Sequence, residues 1–252
     1  LDLIYLLSGH PKVNIKYLCA RKNLGKKITF FDKRIKKNLP KISSFKNINW
    51  PEIDLVYLSL PNGEAQVIIK SLYNKFKHLR FIDLSADFRI TNPLKYKENY
   101  KKKHKAVSLI KDSIYSISEF IQHDIRKYRI VANPGCYPTS IQLPLIPLIR
   151  NNLISNKNIV VDSKSGYSGA GKNLEKKFTH KNLYRSTFAY NPKKHRHVEE
   201  IDQEIKKLTS KNVNFSFNPH ILPTFRGILS SIYVDLKKKV SAKKIKDILD
   251  KY

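Results

Sequence analysis

Methionine is absent from this 252-residue chain, tryptophan occurs once and glycine only eight times. Cysteine occurs twice, at Cys19 and Cys136. Two distant cysteines exclude the framework of a small secreted disulfide scaffold and suit a reducing, cytoplasmic setting. No apolar run approaches the roughly 18–20 residues that a membrane-spanning helix needs. The apolar opening Leu1-Asp2-Leu3-Ile4-Tyr5-Leu6-Leu7 lacks a basic start and a small-residue cleavage site, so it does not read as a signal peptide. With no methionine anywhere, the chain is expected to begin inside a longer protein. Acidic residues are scarce too: 20 Asp and Glu face 49 Lys and Arg, a formal net charge of +29. A field of that sign attracts nucleic acid and anionic membranes nonspecifically. Here the positive residues are spread along the whole chain, as drift toward Lys-, Asn- and Ile-rich composition would produce, and no nucleic-acid motif accompanies them. Neither nucleic acid nor membrane is expected as a specific partner, whereas small anionic substrates suit the sign.

What is present supports a packed core: 41% of the residues are hydrophobic. Residues 1–8 read as the end of a helix, closed by Ser8-Gly9-His10-Pro11. Residues 13–19 read as a short strand. Residues 54–60 form a continuous apolar run stopped by Pro61-Asn62-Gly63, the pattern of a strand buried on both faces in a parallel sheet. Helical spacing follows over 65–76, then strands at 81–84 and 128–132. Strands alternating with helices predict a doubly wound, Rossmann-like α/β domain. Residues 90–127 are polar and lysine-rich, and are expected to be a long irregular excursion. A helix is predicted over 136–150. Beyond it, strand-like stretches at 159–162, 214–218 and 229–236 and a helical face of Ile201, Ile205 and Leu208 no longer alternate strictly, which predicts a second, α+β domain.

Four segments carry chemistry. In Asn133-Pro134-Gly135-Cys136-Tyr137-Pro138-Thr139-Ser140 a strand ends, a Pro-Gly turn follows, and a cysteine stands where a helix begins. A helix N-terminus lowers a thiol pKa and favours the nucleophilic thiolate; the alternative is a small cysteine packed beneath the sheet. His195-Arg196-His197 precedes the helix of residues 198–208, as a general acid/base pair, as polar residues ahead of a cap, or, least well supported, as part of a metal site whose further ligands His180 and His220 lack the usual spacing. Asp162-Ser163-Lys164-Ser165-Gly166-Tyr167-Ser168-Gly169-Ala170-Gly171-Lys172 runs from a strand into glycines and hydroxyls. That loop suits an anion or is an ordinary turn, and it fails the P-loop pattern at Asn173. Asp83-Leu84-Ser85-Ala86-Asp87-Phe88-Arg89 ends a strand at what would be the ligand edge of an open sheet, with Arg89 either an anion clamp or half of an ion pair tying down the loop.

Together with Leu60-Pro61-Asn62-Gly63, Glu200-Ile201, Pro219-His220-Ile221-Leu222-Pro223 and Arg226-Gly227-Ile228, these segments resemble the N-acetyl-gamma-glutamyl-phosphate reductase family, in its order and across nearly the whole chain. The resemblance implies an NADP-binding Rossmann-like domain over 1–135 and a catalytic and dimerisation domain over 136–252. It implies reductive dephosphorylation of N-acetyl-gamma-glutamyl phosphate in arginine biosynthesis, through a thioester on Cys136, with His197 as acid/base and His195 the alternative. His195, Arg89, Ser165 and Arg226 would meet substrate. Leu60, Pro61, Gly63, Ser85, Gly169, Ala170 and Gly171 would lie toward the cofactor, and Arg21 toward the adenosine 2′-phosphate, favouring NADP. No metal is implied, and self-association as a dimer or tetramer is, through the sheet of the second domain. The chain departs from the family by lacking its opening strand and glycine-rich turn and its closing segment, and by carrying Ser116 where glycine is usual after Tyr115. A fragment of the enzyme is therefore expected, binding NADPH poorly and of low stability. Competing readings are an aspartate-semialdehyde dehydrogenase-like enzyme, or an inactive basic fragment that binds polyanions.

Overall fold

The computed structural model describes residues 1–121, 124–169, 186–191, 195–237 and 239–252. The chain divides into two compact units, residues 1–56 with 75–79, and residues 57–74 with 80–252. The first unit holds helix α1 (Asp2–Ser8) and a two-stranded parallel sheet of β1 (Leu18–Cys19) and β2 (Ile42–Ser43), with Leu18 opposite Ile42. Its core is small: Leu18, Ile28, Ile35 and Ile42 are buried, with Ile4, Ile15, Phe31 and Leu39 packed against them. Only two residues of the expected strand at 13–19 are in a sheet, and of that stretch only Leu18 is fully buried in the core, with Ile15 packed at its margin.

A four-stranded sheet runs in the order β3 (Leu55–Leu58), β4 (Arg80–Asp83), β6 (Ile130–Ala132), β5 (Ser113–Tyr115). Strands β4 and β5 both pair with β6 in parallel. Parallel strands with helical crossovers put the loops that follow β3, β4 and β6 at one carboxyl edge. Two expectations need correction. Strand β3 is not buried on both faces: it stands at the edge of the sheet, Leu55 is exposed, and of its residues only Leu58 is buried. Nor are residues 90–127 an irregular excursion. They contain helix α3 (Pro93–Tyr100) and strand β5. The start of α3 follows from Asn92-Pro93: the Asn92 side chain accepts from the N–H groups of Leu94 (2.9 Å) and Lys95 (3.3 Å), and Pro93 needs no N–H partner in the first turn. Between β3 and β4 lies helix α2 (Ala65–Tyr73).

Helix α4 (Cys136–Arg150) begins where predicted. Its Ile141, Leu145 and Ile149, four residues apart, form one buried stripe. That stripe packs in a single core with Ile159 and Val161 of β7 (Ile159–Gly166), Phe217 of β9 (Phe215–Leu222) and Ile201 and Ile205 of helix α5 (Val198–Thr209). Each such side chain contributes about 1.5–3 kcal/mol on burial, so the stripe anchors the helix that carries Cys136. The second sheet has the order β10 (Ile228–Tyr233), β7, β9, β8 (Phe188–Ala189), with β7 and β9 parallel and β10 and β8 antiparallel to their neighbours. Strand β7 continues through Ser163–Gly166, which the sequence placed in a turn. Alternation explains it: Ile159, Val161, Ser163 and Ser165 all point to the buried face, and the two serines keep the period with small hydroxyls. Helix α6 (Ala242–Leu249) closes the described chain, its start capped by Ser241.

Candidate active site

Cys136 opens α4 directly after β6, and Gly135 is the residue at the cap. Gly135 is hemmed in. A Cβ there would stand 2.8 Å from His197 Nε2 and 3.0 Å from Arg89 Nη1, so only glycine lets these two groups close on the turn before the nucleophile candidate. Its N–H donates to Glu200 Oε1 at 2.7 Å, and its carbonyl accepts from the N–H and the hydroxyl of Thr139.

His195 and His197 are both buried, at the turn that leads into α5. The N–H of His197 donates to His195 Nδ1 at 3.1 Å, and the two rings lie 4.8 Å apart. His195 is enclosed by Tyr137, Tyr190 and Phe217, at 5.6, 5.6 and 5.2 Å between ring centroids. Burial, helped by the neighbouring Arg196 charge, lowers its pKa to about 4. Burial likewise drives His197 well below the ordinary histidine value, with His195, Arg196 and Arg89 adding to the effect. Both rings are neutral at physiological pH, and a neutral imidazole can take a proton.

The thiol departs from the sequence expectation. Cys136 is accessible at the surface, yet protein surrounds it closely enough that desolvation is the largest influence and raises its pKa. The N–H groups of Tyr137 and Cys136 and the charges of Arg89 and Arg196 work the other way without overcoming it. The helix terminus was legible in the sequence; the burial that outweighs it was not.

Arg89 is buried and its donors are engaged within the protein. Nε donates to the Asn133 carbonyl at 2.8 Å, Nη2 to the Leu84 carbonyl at 3.2 Å, and Nη1 stands 3.6 Å from Glu200 Oε2. Ser165 is buried at the end of β7, and its side chain bonds with that of Tyr137, whose hydroxyl also receives that of Tyr190 at 3.0 Å. Arg226 is exposed, its guanidinium 5.2 Å from the Phe225 ring; the neighbouring Gly227 carbonyl accepts the N–H of Gly166 at 2.9 Å. Cys136, His195, His197 and Arg89 thus gather around Gly135 and Tyr137, and Ser165 joins them through Tyr137. Leu60, Pro61 and Gly63 follow β3, and Ser85 follows β4, at the carboxyl edge of the parallel sheet. Gly169 is exposed beyond β7, while Ala170 and Gly171 lie outside the described residues. Arg21 lies in the first unit, exposed in the turn after β1.

Glu200 had no role in the sequence reading. It is fully buried, and besides Gly135 it receives the Tyr115 hydroxyl at 2.8 Å; burial raises its pKa against the pull of Arg89. Its position three residues beyond His197, on the same face of α5, was the available signal. Among the described residues no group of three or more His, Cys, Asp and Glu could hold a metal ion, and no helix is long and apolar enough to cross a membrane.

Two family models match the chain: the semialdehyde dehydrogenase NAD binding domain over residues 1–128 and the semialdehyde dehydrogenase dimerisation domain over residues 136–252. A probable chloroplastic N-acetyl-gamma-glutamyl-phosphate reductase of Arabidopsis thaliana is 40% identical over 93% of this chain, which spans 58% of that protein's length. The N-acetyl-gamma-glutamyl-phosphate reductase of Ehrlichia ruminantium (strain Gardel) is 41% identical over 98% of the chain and 72% of its own length. Among solved structures, aspartate semialdehyde dehydrogenase II of Vibrio cholerae, complexed with ASA, superposes over 98% of this chain and 74% of its own at a TM-score of 0.67 and 17% identity. Aspartate semialdehyde dehydrogenase of Candida albicans with NADP covers 99% of this chain and 72% of its own, at a TM-score of 0.59 and 15% identity. At such identities the structural likeness speaks for the α/β fold with its two domain types and not for the substrate, whereas the sequence relatives speak for more: the chain belongs to the N-acetyl-gamma-glutamyl-phosphate reductase family of the semialdehyde dehydrogenases.

Proposed function

We propose that this chain reduces N-acetyl-gamma-glutamyl phosphate to N-acetylglutamate 5-semialdehyde, in arginine biosynthesis, with Cys136 as the nucleophile. The observation that carries the reading is the crowding of neutral His197 and cationic Arg89 onto Gly135, the residue before Cys136. A thiol whose pKa is raised needs a base at the moment of attack, and a neutral imidazole is one. His197 takes the thiol proton as Sγ attacks the acyl carbon; the C–O bond to phosphate breaks and inorganic phosphate leaves, giving a thioester on Cys136. NADPH, when bound, supplies the hydride that reduces the thioester carbonyl. His197 then returns its proton, the carbon–sulfur bond breaks, and the aldehyde leaves with the thiol restored. The N–H groups of Cys136 and Tyr137, with the Arg89 and Arg196 charges, stabilise negative sulfur at both ends of this cycle. Arg89, its donors spent on Asn133 and Leu84, contributes as a fixed cation more than as a substrate clamp; Arg226, exposed next to Gly227, is the cation we assign to an anionic substrate group.

A nicotinamide cofactor fits the carboxyl edge of the parallel sheet, where Leu60, Pro61 and Gly63 line up with Ser85, and where Gly63 turns the chain at φ +93° beside the Lys102 side chain. Arg21 supports NADP over NAD. Residues 1–135 would form the cofactor domain and 136–252 the catalytic and dimerisation domain. A dimer or tetramer is supported by the outward face of the second sheet, where Val160, Leu229 and Tyr233 are exposed. The two free cysteines support a reducing compartment such as the cytoplasm.

The test is phosphate-dependent reduction of NADP by N-acetylglutamate 5-semialdehyde, with aspartate semialdehyde run in parallel. Cys136→Ser is expected to lower the rate at least about a thousandfold. Equal activity of the serine variant would remove Cys136 from the chemistry. A preference for the aspartate compound would overturn the substrate.

A further inference from the structure

Helix α2 does not cap its own start. Its N-cap residue, Glu64, makes no side-chain capping bond, although the first N–H groups of a helix need acceptors. Those acceptors come from Asp87, on the loop after β4. Asp87 Oδ2 accepts the N–H of Gln66 at 3.0 Å, and Oδ1 accepts the N–H of Gly63 at 2.6 Å and the Asn62 side-chain amide at 3.0 Å. The Tyr96 hydroxyl of α3 donates to the same Oδ1 at 3.0 Å and accepts from the amides of Asn62 (3.1 Å) and Gln66 (3.0 Å). Asp87 and Gln66 are fully buried, so four donors converge on a carboxylate that water does not reach. The Asp87 backbone is fixed as well. His104 Nδ1 accepts the N–H of Ala106 at 3.1 Å, which leaves Nε2 protonated to donate to the Asp87 carbonyl at 2.9 Å. Over the turn itself lies Lys102, whose Nζ donates to the Asn62 carbonyl at 2.8 Å.

We infer that Asp87 is the positioning residue for cofactor binding: a cap borrowed from the loop after β4 that holds the Asn62–Gly63 turn in its binding shape. This rests on the reading above that residues 60–63 face the cofactor. The turn's own backbone supplies one hydrogen bond, and Asp87 supplies most of the rest of its anchoring. Gly63 is at φ +93° and Glu64 does not cap; within the turn the Glu64 N–H reaches the Pro61 carbonyl at 3.1 Å, and the Asn62 side-chain amide and the Gly63 N–H donate to Asp87. Arg89, two residues further on, ties the same loop to Asn133 and Glu200, so the nucleophile's turn is held independently of the Asp87 carboxylate. Loss of the cap therefore acts on the cofactor and spares the chemical step.

Asp87→Asn keeps the shape and replaces one acceptor oxygen by a donor, which must then face the N–H of Gln66 or the donors around Oδ1. The expected result is a rise of about tenfold or more in KM for NADPH and in the Kd from NADPH fluorescence, with kcat at saturating cofactor within about twofold and KM for the acyl phosphate unchanged. A merely structural role would reduce thermal stability and leave KM for NADPH where it was, and that outcome overturns the inference. So does a fall in kcat equal to the loss in kcat/KM. Tyr96→Phe removes one donor without adding another and is the second variant: about threefold on the same KM is expected, and no change in KM or Kd overturns the inference even if Asp87→Asn does not fold. Gly63→Ala separates this from the cofactor reading itself. If Gly63→Ala weakens NADPH binding and neither Asp87→Asn nor Tyr96→Phe does, Asp87 is not the positioning residue. If Gly63→Ala also leaves binding intact, the turn does not face the cofactor.

Discussion

The loop from Asp83 to Arg89 and the turn from His195 to Glu200 both bury polar side chains, and both send a side chain to Gly135, yet they balance their hydrogen bonds differently. In the first, Asp83 accepts from the N–H and hydroxyl of Ser85 and from the N–H of Phe88, Ser85 accepts from the N–H of Asp87, and Asp87 accepts four donors. In the second, His197 Nδ1 and Glu200 Oε2 are buried with no hydrogen bond among the described residues. An unmet buried polar atom costs about 1–3 kcal/mol, and a protein keeps that cost where something other than stability is selected. On the mechanism proposed above, the saturated loop is scaffold and the unsaturated turn is where protons move. Glu200 shows the division within one residue, with Oε1 spent on Gly135 and Tyr115 and Oε2 left facing Arg89 at 3.6 Å.

The largest effect that could break this contrast is at the residue both regions touch. Gly135→Ala puts a methyl 2.8 Å from His197 Nε2 and 3.0 Å from Arg89 Nη1, and neither buried group has room to retreat. Displacement of a catalytic group by about 1 Å costs on the order of a hundredfold, so kcat is expected to fall about a hundredfold while far-UV circular dichroism stays unchanged. Near-normal turnover would mean that His197 does its work elsewhere than beside Cys136.

Next in size is a pair of isosteric exchanges read on two scales. Asp83→Asn sets a donor against the N–H groups of Ser85 and Phe88, and is expected to lower unfolding free energy by about 2 kcal/mol in a urea titration. Glu200→Gln keeps an oxygen for Gly135 and replaces a carboxyl already disfavoured in its charged form by burial. Its stability is expected to change by less than about 1 kcal/mol, while kcat falls about tenfold or more. If the two variants exchange behaviours, with Asp83→Asn crippling turnover in a stable protein, the division into scaffold and reactive turn is wrong.

What was legible in the sequence follows the range of the interactions. Strand, Pro-Gly turn and Cys136 at a helix start are local, and α4 runs over the predicted 136–150. The two groups that shape the site most are not local. Gly135 and Glu200 are 65 residues apart, and Asp87 reaches back 21–25 residues to Gln66, Gly63 and Asn62. No spacing rule pairs such residues before the fold does. Helix α3 escaped for another reason: it is short and lysine-rich, and only Tyr96 in it is fully buried, so it shows no apolar period, and only the Asn92-Pro93 start announced it. Strand β5 has three residues, too few for any period to appear.

The smallest effect bears on the one point where local and tertiary physics oppose each other at a reacting atom. The helix start and the Arg89 and Arg196 charges favour the Cys136 thiolate, and burial favours the thiol and wins. Below its pKa a thiol's ionised fraction rises tenfold per pH unit, and the thiolate is what alkylates. The rate of Cys136 alkylation by iodoacetamide, followed by peptide mass spectrometry to separate it from Cys19, is expected to climb steadily through pH 9 with no plateau. Arg196 is exposed, so solvent screens most of its charge. Arg196→Gln should slow alkylation at pH 8 by only about twofold. A plateau below pH 8 would reverse the ranking, placing the helix terminus and cations above burial, and would make the free enzyme a standing thiolate; the base in the His195–Glu200 turn would then have no proton to remove at the first step, and its task would lie wholly in returning one to the product side.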